Sequence, residues 1–580
     1  MESNPLIDNL PPHLKQFIKP QNYEEYTPIN QAVWRYVMRK NVNYLSDVAH
    51  GSYVEGLRKT GISVEEIPSM YGMNRILKEI GWAAVAVDGF IPPNAFMEFQ
   101  AYKVLVIASD IRQLENIEYT PAPDIIHEAA GHAPIIANPD YAEYLRRLGA
   151  IGAKAILSSY DNDLYEAVRK LSILKEANFS TQEEIDEAEA EVNRLQALKV
   201  ETSEMAKMRN LQWWTVEYGL IGEVDNPKIY GAGLLSSIGE SEWCMTDDVK
   251  KLPYSVEAAE QGFDITQPQP QLYVTPDFSY LMQVLEEFAN TLSLRKGGHR
   301  GLGKLIESQK VGTIELTTGL QISGVFSRMI LNEDNEVVFF QTKGATSLAY
   351  REKELIGHGI ETHTAGFSSP LGKLKSINLA IEDMSPVDLK AYNFYDGKWI
   401  SFEFESGVKV EGINITGLRN DRGKLLLIQF ENCTVTYKGE VLFKPEDGTF
   451  DMAVGKEIVS AYAGSADFNS FPNLYHESET RTLKVEKSAQ LLALEGLYTQ
   501  VREGRTAGDI QIQELREIFE QLKKDHPKDW LLPLEVLEIA QDIALSKEIR
   551  QYLTDMYKQH PKLTKLIQDG LGLIPDGLLV

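Results

Sequence analysis

The stretch Tyr119-Thr-Pro-Ala-Pro-Asp-Ile-Ile-His127-Glu-Ala-Ala-Gly-His132-Ala-Pro134 places two histidines five residues apart in a short, mostly apolar segment. On an ideal helix that spacing turns the imidazoles about 140° apart, so they cannot share a face as histidines four apart do in zinc hydrolases. The helix is therefore expected to end between them. Gly131 would relax the backbone and Pro134 would stop the helix, letting His132 swing toward an ion held by His127. Spacing alone leaves open a helix that simply carries two surface or core histidines.

A second stretch bears on the choice. In Leu211-Gln-Trp-Trp-Thr-Val-Glu217-Tyr-Gly-Leu-Ile one carboxylate sits inside an apolar, aromatic run. Burying a carboxylate without a cation or hydrogen-bond partners is costly, so Glu217 needs either a salt bridge or a metal. Two imidazoles and one carboxylate on one side of an ion form the facial triad of non-haem Fe(II) oxygenases, whose opposite positions stay open for O₂. His127, His132 and Glu217 are the candidate ligands. His358 and His363 repeat the five-residue spacing, but in a β-rich region, and read as surface loop residues.

Outward from these segments, the chain has 580 residues, too many for one core, since single domains stop growing at about 250–300 residues. Its 43% hydrophobic and 24% charged residues are those of a globular protein. A net charge of −26 argues against nucleic acid as a partner. Two distant cysteines, Cys244 and Cys433, fit a reducing compartment and rule out a cysteine zinc ribbon. With no signal-like N-terminus and no long apolar run, a cytoplasmic protein without a membrane partner is expected.

Three regions are expected. Residues 1–300 read as mainly α, with Val33, Tyr36 and Val37 on one stripe after Pro28. Within them, about 160–207 reads as a helical hairpin inserted into the region. Its stripes are Leu164, Val168, Leu171, Leu174 and Ile185, Val192, Leu195, Leu198, with Thr181 and Glu184 forming a capping box. The basic, glycine-rich Arg295 to Lys304 marks a change of texture. Residues 305–475 read as a β-rich domain with turns at Asn332 to Asn335, Ser406-Gly407 and Lys438-Gly439. Residues 483–580 return to a helical period, with Leu491, Leu494, Leu497 and then Leu515, Ile518, Leu522. Removing everything after about Lys304 is expected to leave a folded domain.

Pro123-Asp-x-x-His127-Glu-x-x-Gly-His132-x-Pro134, Trp214-Thr-Val-Glu217-Tyr-Gly-Leu and Tyr230-Gly-Ala-Gly-Leu-Leu-Ser-Ser-Ile-Gly-Glu240 follow one another in order. In these blocks the chain resembles the pterin-dependent aromatic amino acid hydroxylases, over roughly Gly81 to Leu294. The resemblance implies that family's mainly α catalytic fold, followed here by the β-rich domain and the small helical C-terminal element. It implies Fe(II) on His127, His132 and Glu217, with O₂ and a tetrahydrobiopterin-like tetrahydropterin as co-reactants. It assigns Gly89, Phe90, Ile91 and Phe96 to the pterin, Phe96 as the ring that stacks on it, and Glu128 as a catalytic carboxyl facing it. It assigns Arg112 to the substrate carboxylate, and Thr120, Pro123, Trp213, Gly233 and Ser236 to the amino acid pocket.

The chain departs from the family pattern in three places. The hairpin lengthens the interval between His132 and Glu217, Gln212 replaces a tyrosine, and Val106 replaces an aromatic or imidazole side chain. Too few residues precede the catalytic region for a regulatory domain of the animal type, and an oligomer is possible. The expected reaction is ring hydroxylation of a free amino acid, with phenylalanine to tyrosine first, tryptophan second and tyrosine third. Trp213 stands where the tryptophan enzymes carry phenylalanine, and Ile265 stands where the tyrosine enzymes carry aspartate. The competing readings are a zinc hydrolase built on His127 and Glu128, and a binding or scaffold protein with a vestigial hydroxylase domain.

Overall fold

The computed structural model describes residues 4–87, 91–118, 123–176, 181–198, 200–265, 267–472 and 487–574. Helix α1, Pro28–Val48, starts at a capping box in which Thr27 and Asn30 each bond the other's backbone N–H, with Pro28 at the first helical position. Val33, Tyr36 and Val37 are buried as their stripe requires, with Lys40 and Asn41 continuing it, but so are Gln31 and Arg35 on the opposite face. A helix buried on several faces must be packed on several sides, and α1 is.

One side meets the catalytic region. There Ala83–Val87 and Val104–Ala108 run parallel, with Ile18–Lys19 added antiparallel at the edge. The crossover between the parallel strands contains helix α2, Pro93–Ala101. A second sheet has the order Asn226–Ile229, Leu220–Glu223, Gln271–Thr275, Lys250–Pro253. The helical reading of residues 1–300 missed both sheets for a physical reason. Ala83–Val87 is buried at every position, so it shows no polar alternation and leaves no period of two.

The inserted hairpin is present as Ser159–Glu176 and Gln182–Gln196. Thr181 and Glu184 form the expected box, and Val192 and Leu195 are buried, while Leu198 is exposed. The basic, glycine-rich stretch that marked the change of texture is helical, as Ser293–Lys296 and Gly298–Ser308.

From Val311 to Ala463 the described chain is built around two antiparallel sheets, one of six strands and one of five. Each sheet has a long hairpin at its centre: Leu320–Leu331 with Val337–Tyr350, and Val408–Arg419 with Leu425–Tyr437. The Lys438-Gly439 turn has positive φ at both residues, the conformation that matches the twist of a tight hairpin.

The other side of α1 meets the C-terminal helices Ala489–Ala507, Ile512–Asp525, Leu531–Ile539, Ile543–Gln559 and Thr564–Gly572. Leu515, Ile518 and Leu522 are buried, whereas the first helix buries Leu497 and leaves Leu491 partly exposed. These helices do not form a separate core: Trp530 meets Tyr36 edge to face at 5.1 Å, and their buried side chains join the same apolar cluster as the catalytic region. Buried Arg35 of α1 donates to Glu65, Glu535 and Glu538. The expectation that everything after about Lys304 can be removed without exposing a core is therefore corrected.

Candidate active site

The two histidines lie on helix α3, Ile126–His132, which is wound as a π-helix and continues directly into Ala133–Ile136. The helix does not end between them, as the spacing alone suggested. It widens instead. Bonding from i to i+5 brings residues five apart close to one face, and such turns occur often at functional sites. Pro134 still contributes, since it has no N–H to offer the carbonyl four residues back. Gly131 serves close approach, because a Cβ there would lie 2.6 Å from the carbonyl oxygen of Ala232. Glu217 ends a second π-wound segment, α4, Trp213–Glu217.

Both segments deliver their ligand atoms to one place. His127 Nε2 and His132 Nε2 are 3.2 Å apart, and the Glu217 carboxylate lies 3.1 Å from the first and 3.4 Å from the second. Donors about 2.1 Å from an ion and subtending 90–110° lie roughly 3.0–3.4 Å from one another. The set therefore fits a divalent cation. Burial alone would raise the Glu217 carboxyl, but the two imidazoles overcome it and hold the group well below the usual carboxylate range. Glu128 is 3.8 Å from His132 Nε2; burial, partly offset by His132 and reinforced by Glu217 and Asp124, pushes its carboxyl up to about 8. Of the two acids, Glu217 is thus the one held in its charged form.

Helix α5, Ala232–Ser236, packs on α3 and supplies a role the sequence did not reveal. The Ser236 hydroxyl donates to the Ala232 carbonyl at 2.8 Å, so toward His127 Nδ1, 3.1 Å away, it accepts. The proton on Nδ1 leaves the Nε2 lone pair free for an ion. Gly233 permits the approach, since a Cβ there would lie 2.9 Å from the Tyr218 ring and 3.1 Å from the Glu217 carbonyl.

A cavity of about 330 Å³ opens in front of the ligands, lined among others by Phe96, Arg112, Pro123, Trp213 and Gly233. Glu128 and Ser236 line it as well. Asp124, buried and missed in the sequence, accepts from Nε and Nη2 of Arg112 at 2.8 and 2.9 Å and from the N–H of His127 at 3.1 Å. One carboxylate so ties the cavity's arginine to the start of the histidine helix. Its place in the Pro123-Asp-x-x-His127 block, three residues before a helical N–H, was the available signal. The side of Arg112 used by Asp124 is no longer free for a substrate, and Nη1 also donates to the carbonyl of Ile117 at 3.4 Å; one donor on each Nη remains.

Trp213 is held between Tyr218 and Phe263, with ring centroids 4.6 and 4.2 Å away and planes within 27° and 7° of parallel. Tyr218 in turn donates to Glu240 at 2.6 Å. Ile265 and Gln212 also face the cavity. Among the residues assigned to the pterin, Phe96 lines it, whereas Ile91 packs with Phe96 in the apolar cluster under the first sheet and is not among the lining residues. Val106 belongs to that same cluster. Gly89, Phe90 and Thr120 lie outside the described residues.

The pair His358 and His363 differs. His363 is buried, which corrects the reading of both as surface residues. Their nitrogens are 3.3 Å apart with ring centroids at 5.5 Å and nearly parallel planes, close to an in-line N–H···N hydrogen bond. His127 and His132, at a similar nitrogen separation, have centroids only 5.0 Å apart and planes 80° apart, because their nitrogens converge on a point between them.

Residues 16–169 and 172–296 match the biopterin-dependent aromatic amino acid hydroxylases. Across that stretch the chain resembles this family. Phenylalanine-4-hydroxylase of Pseudomonas aeruginosa is 26% identical over 282 residues, covering 48% of this chain and 90% of that protein. The Chromobacterium violaceum phenylalanine-4-hydroxylase is 26% identical over 273 residues, covering 47% and 74%. A crystal structure of the C. violaceum enzyme with oxidised Fe(III) overlaps 48% of this chain and 87% of its own at 23% identity, with a TM-score of 0.38. The protein is an aromatic amino acid hydroxylase with a long C-terminal extension beyond the family region.

Proposed function

We propose that the protein hydroxylates the ring of free L-phenylalanine to give L-tyrosine, using Fe(II), O₂ and a tetrahydropterin. The observation that carries this reading is the convergence of His127, His132 and Glu217 on one point beside the aromatic wall of Trp213. When bound, iron and the reduced pterin supply oxygen activation and the two electrons.

The side chains have the remaining tasks. His127, His132 and Glu217 hold the iron by three ligands, leaving the cavity side open. Ser236 keeps the proton of His127 on Nδ1. The free Nη donors of Arg112 take the amino acid carboxylate, while Asp124 fixes the guanidinium from the other side. Phe96 offers an aromatic face to the pterin, with Glu128 on the same wall. The apolar surround excludes water from the ring and the open positions.

Phenylalanine is favoured because Trp213, wedged between two rings, cannot swing away to admit an indole. Ile265 offers a substrate hydroxyl no partner, and an unpaired buried hydroxyl costs about 1–3 kcal/mol. That the P. aeruginosa and C. violaceum relatives are phenylalanine-4-hydroxylases supports phenylalanine as the substrate. We place the enzyme in the cytoplasm; both cysteines are buried and unpaired, and no helix of the described residues is long and apolar enough to cross a membrane. The test is incubation with Fe(II), a tetrahydropterin and each of phenylalanine, tryptophan and tyrosine, with product identification. Tyrosine from phenylalanine at the highest kcat/KM is expected, and a clear preference for tryptophan overturns the ranking.

A further inference from the structure

The C-terminal helix Thr564–Gly572, here α6, reaches the amino acid pocket through one buried lysine. Lys40 of α1 is 7% exposed, and its ammonium has three neighbours. It donates to the carbonyl of Ile238 at 2.8 Å, pairs with Asp569 of α6 at 2.5 Å, and lies 3.5 Å from Glu242. The next residue, Asn41, donates to the carbonyl of Leu235 at 3.2 Å.

Leu235 lies in the last turn of α5, the helix that carries Gly233 and Ser236, and Ile238 lies two residues past its end. The last carbonyls of a helix have no partner within it, and a short helix has few other bonds to hold its direction. Lys40 and Asn41 therefore set how α5 ends. Lys565 of α6 adds a second tie, to Glu242 at 2.8 Å and to Asp569 at 3.2 Å. Glu242 lies two residues from Glu240, which lines the cavity and accepts from Tyr218.

We infer that Asp569 and Lys40 are positioning residues for substrate binding: the C-terminal helix holds the α5 wall of the amino acid pocket in place through the Lys40 ammonium. This rests on the reading that Gly233 and Ser236 face the bound amino acid. A buried ammonium without its nearest counter-ion turns to the next carboxylate, here Glu242, and in doing so releases the Ile238 carbonyl. The wall then loosens on the side that faces the amino acid, and Ser236 moves with it.

The test is Asp569→Asn in the full-length protein, with KM measured separately for the amino acid and for the pterin, beside kcat and bound iron. A rise of about fivefold or more in amino acid KM, measured at saturating Fe(II), is expected, with pterin KM unchanged and recovery in Asp569→Glu. A lowered melting temperature with an unchanged amino acid KM overturns the inference, because it shows a stabilising contact only. Should Asp569→Asn fail to fold, Lys40→Arg keeps the charge and displaces the donor; it is expected to raise the same KM, and an unchanged value again overturns the inference. If the wild-type protein turns over no aromatic amino acid, the reading of the pocket fails instead.

Discussion

Replacing Ser236 by alanine removes one oxygen and tests how the iron site is oriented. In the native protein the hydroxyl is committed as a donor to Ala232 and as an acceptor to His127 Nδ1–H, at 2.8 and 3.1 Å. Without it the neutral imidazole has no reason to keep its proton on Nδ1. Part of the population then carries the proton on Nε2, where it blocks the metal lone pair. Loss of such an outer hydrogen bond costs 10- to 100-fold in metal affinity, or about 1.4–2.7 kcal/mol. The fold should lose less, since one buried hydrogen bond contributes about 0.5–1.5 kcal/mol and the alanine methyl keeps the packing. Titration of metal-stripped protein with Fe(II) under anaerobic conditions reads the affinity directly, beside a thermal melt. Weakened iron binding with activity largely restored at excess Fe(II) is the expected result. Unchanged iron affinity would refute the assignment of the His127 tautomer to Ser236.

Glu217→Gln, isosteric but neutral, should abolish tight iron binding and hydroxylation, checked by metal analysis of purified protein and by product formation. Trp213→Phe should raise the ratio of kcat/KM for tryptophan over phenylalanine, because the smaller ring vacates part of the slot between Tyr218 and Phe263. Ending the chain before residue 487 removes C-terminal partners of Tyr36 and Arg35 and should give a protein that aggregates or melts far below the full chain, seen by light scattering and calorimetry. Arg35→Met takes one cation from Glu535 and Glu538, which keep Arg505 and, for Glu538, Arg39, and should cost less than the about 3–5 kcal/mol of a fully orphaned buried charge. Burial alone would raise Glu538, but Arg35 holds it below its ordinary value. Its stabilisation is thus present above the ordinary glutamate range and fades as the pH falls through the depressed value; in denaturant melts against pH, Arg35→Met should flatten that acid limb.

What the sequence disclosed, and what it withheld, follows from the kind of interaction involved. The candidate triad stood out because its residue types are rare together and stand in ordered blocks, whereas the backbone device that brings them together did not. A five-residue spacing is impossible for an α-helix with one face, and both a broken helix and a π-wound one solve that problem. The second was realised because α3 is anchored at both ends, by Asp124 at its first N–H groups and by α5 pressed against Gly131. Neither anchor is periodic, so neither appears in a local pattern. Asp124 and Ser236 were in plain view within the blocks, but their bonds run to partners 12 and 109 residues away. The same holds for the C-terminal helices. Their apolar stripes were readable, and the helices themselves were expected; that their partner would be α1, some 500 residues earlier, lay in the Arg35 and Tyr36 contacts alone. A stripe states that a face is buried and is silent about what buries it. Here the answer bears on the proposed function, because the helix that buries α6 also holds α5, and α5 sets Ser236 against His127.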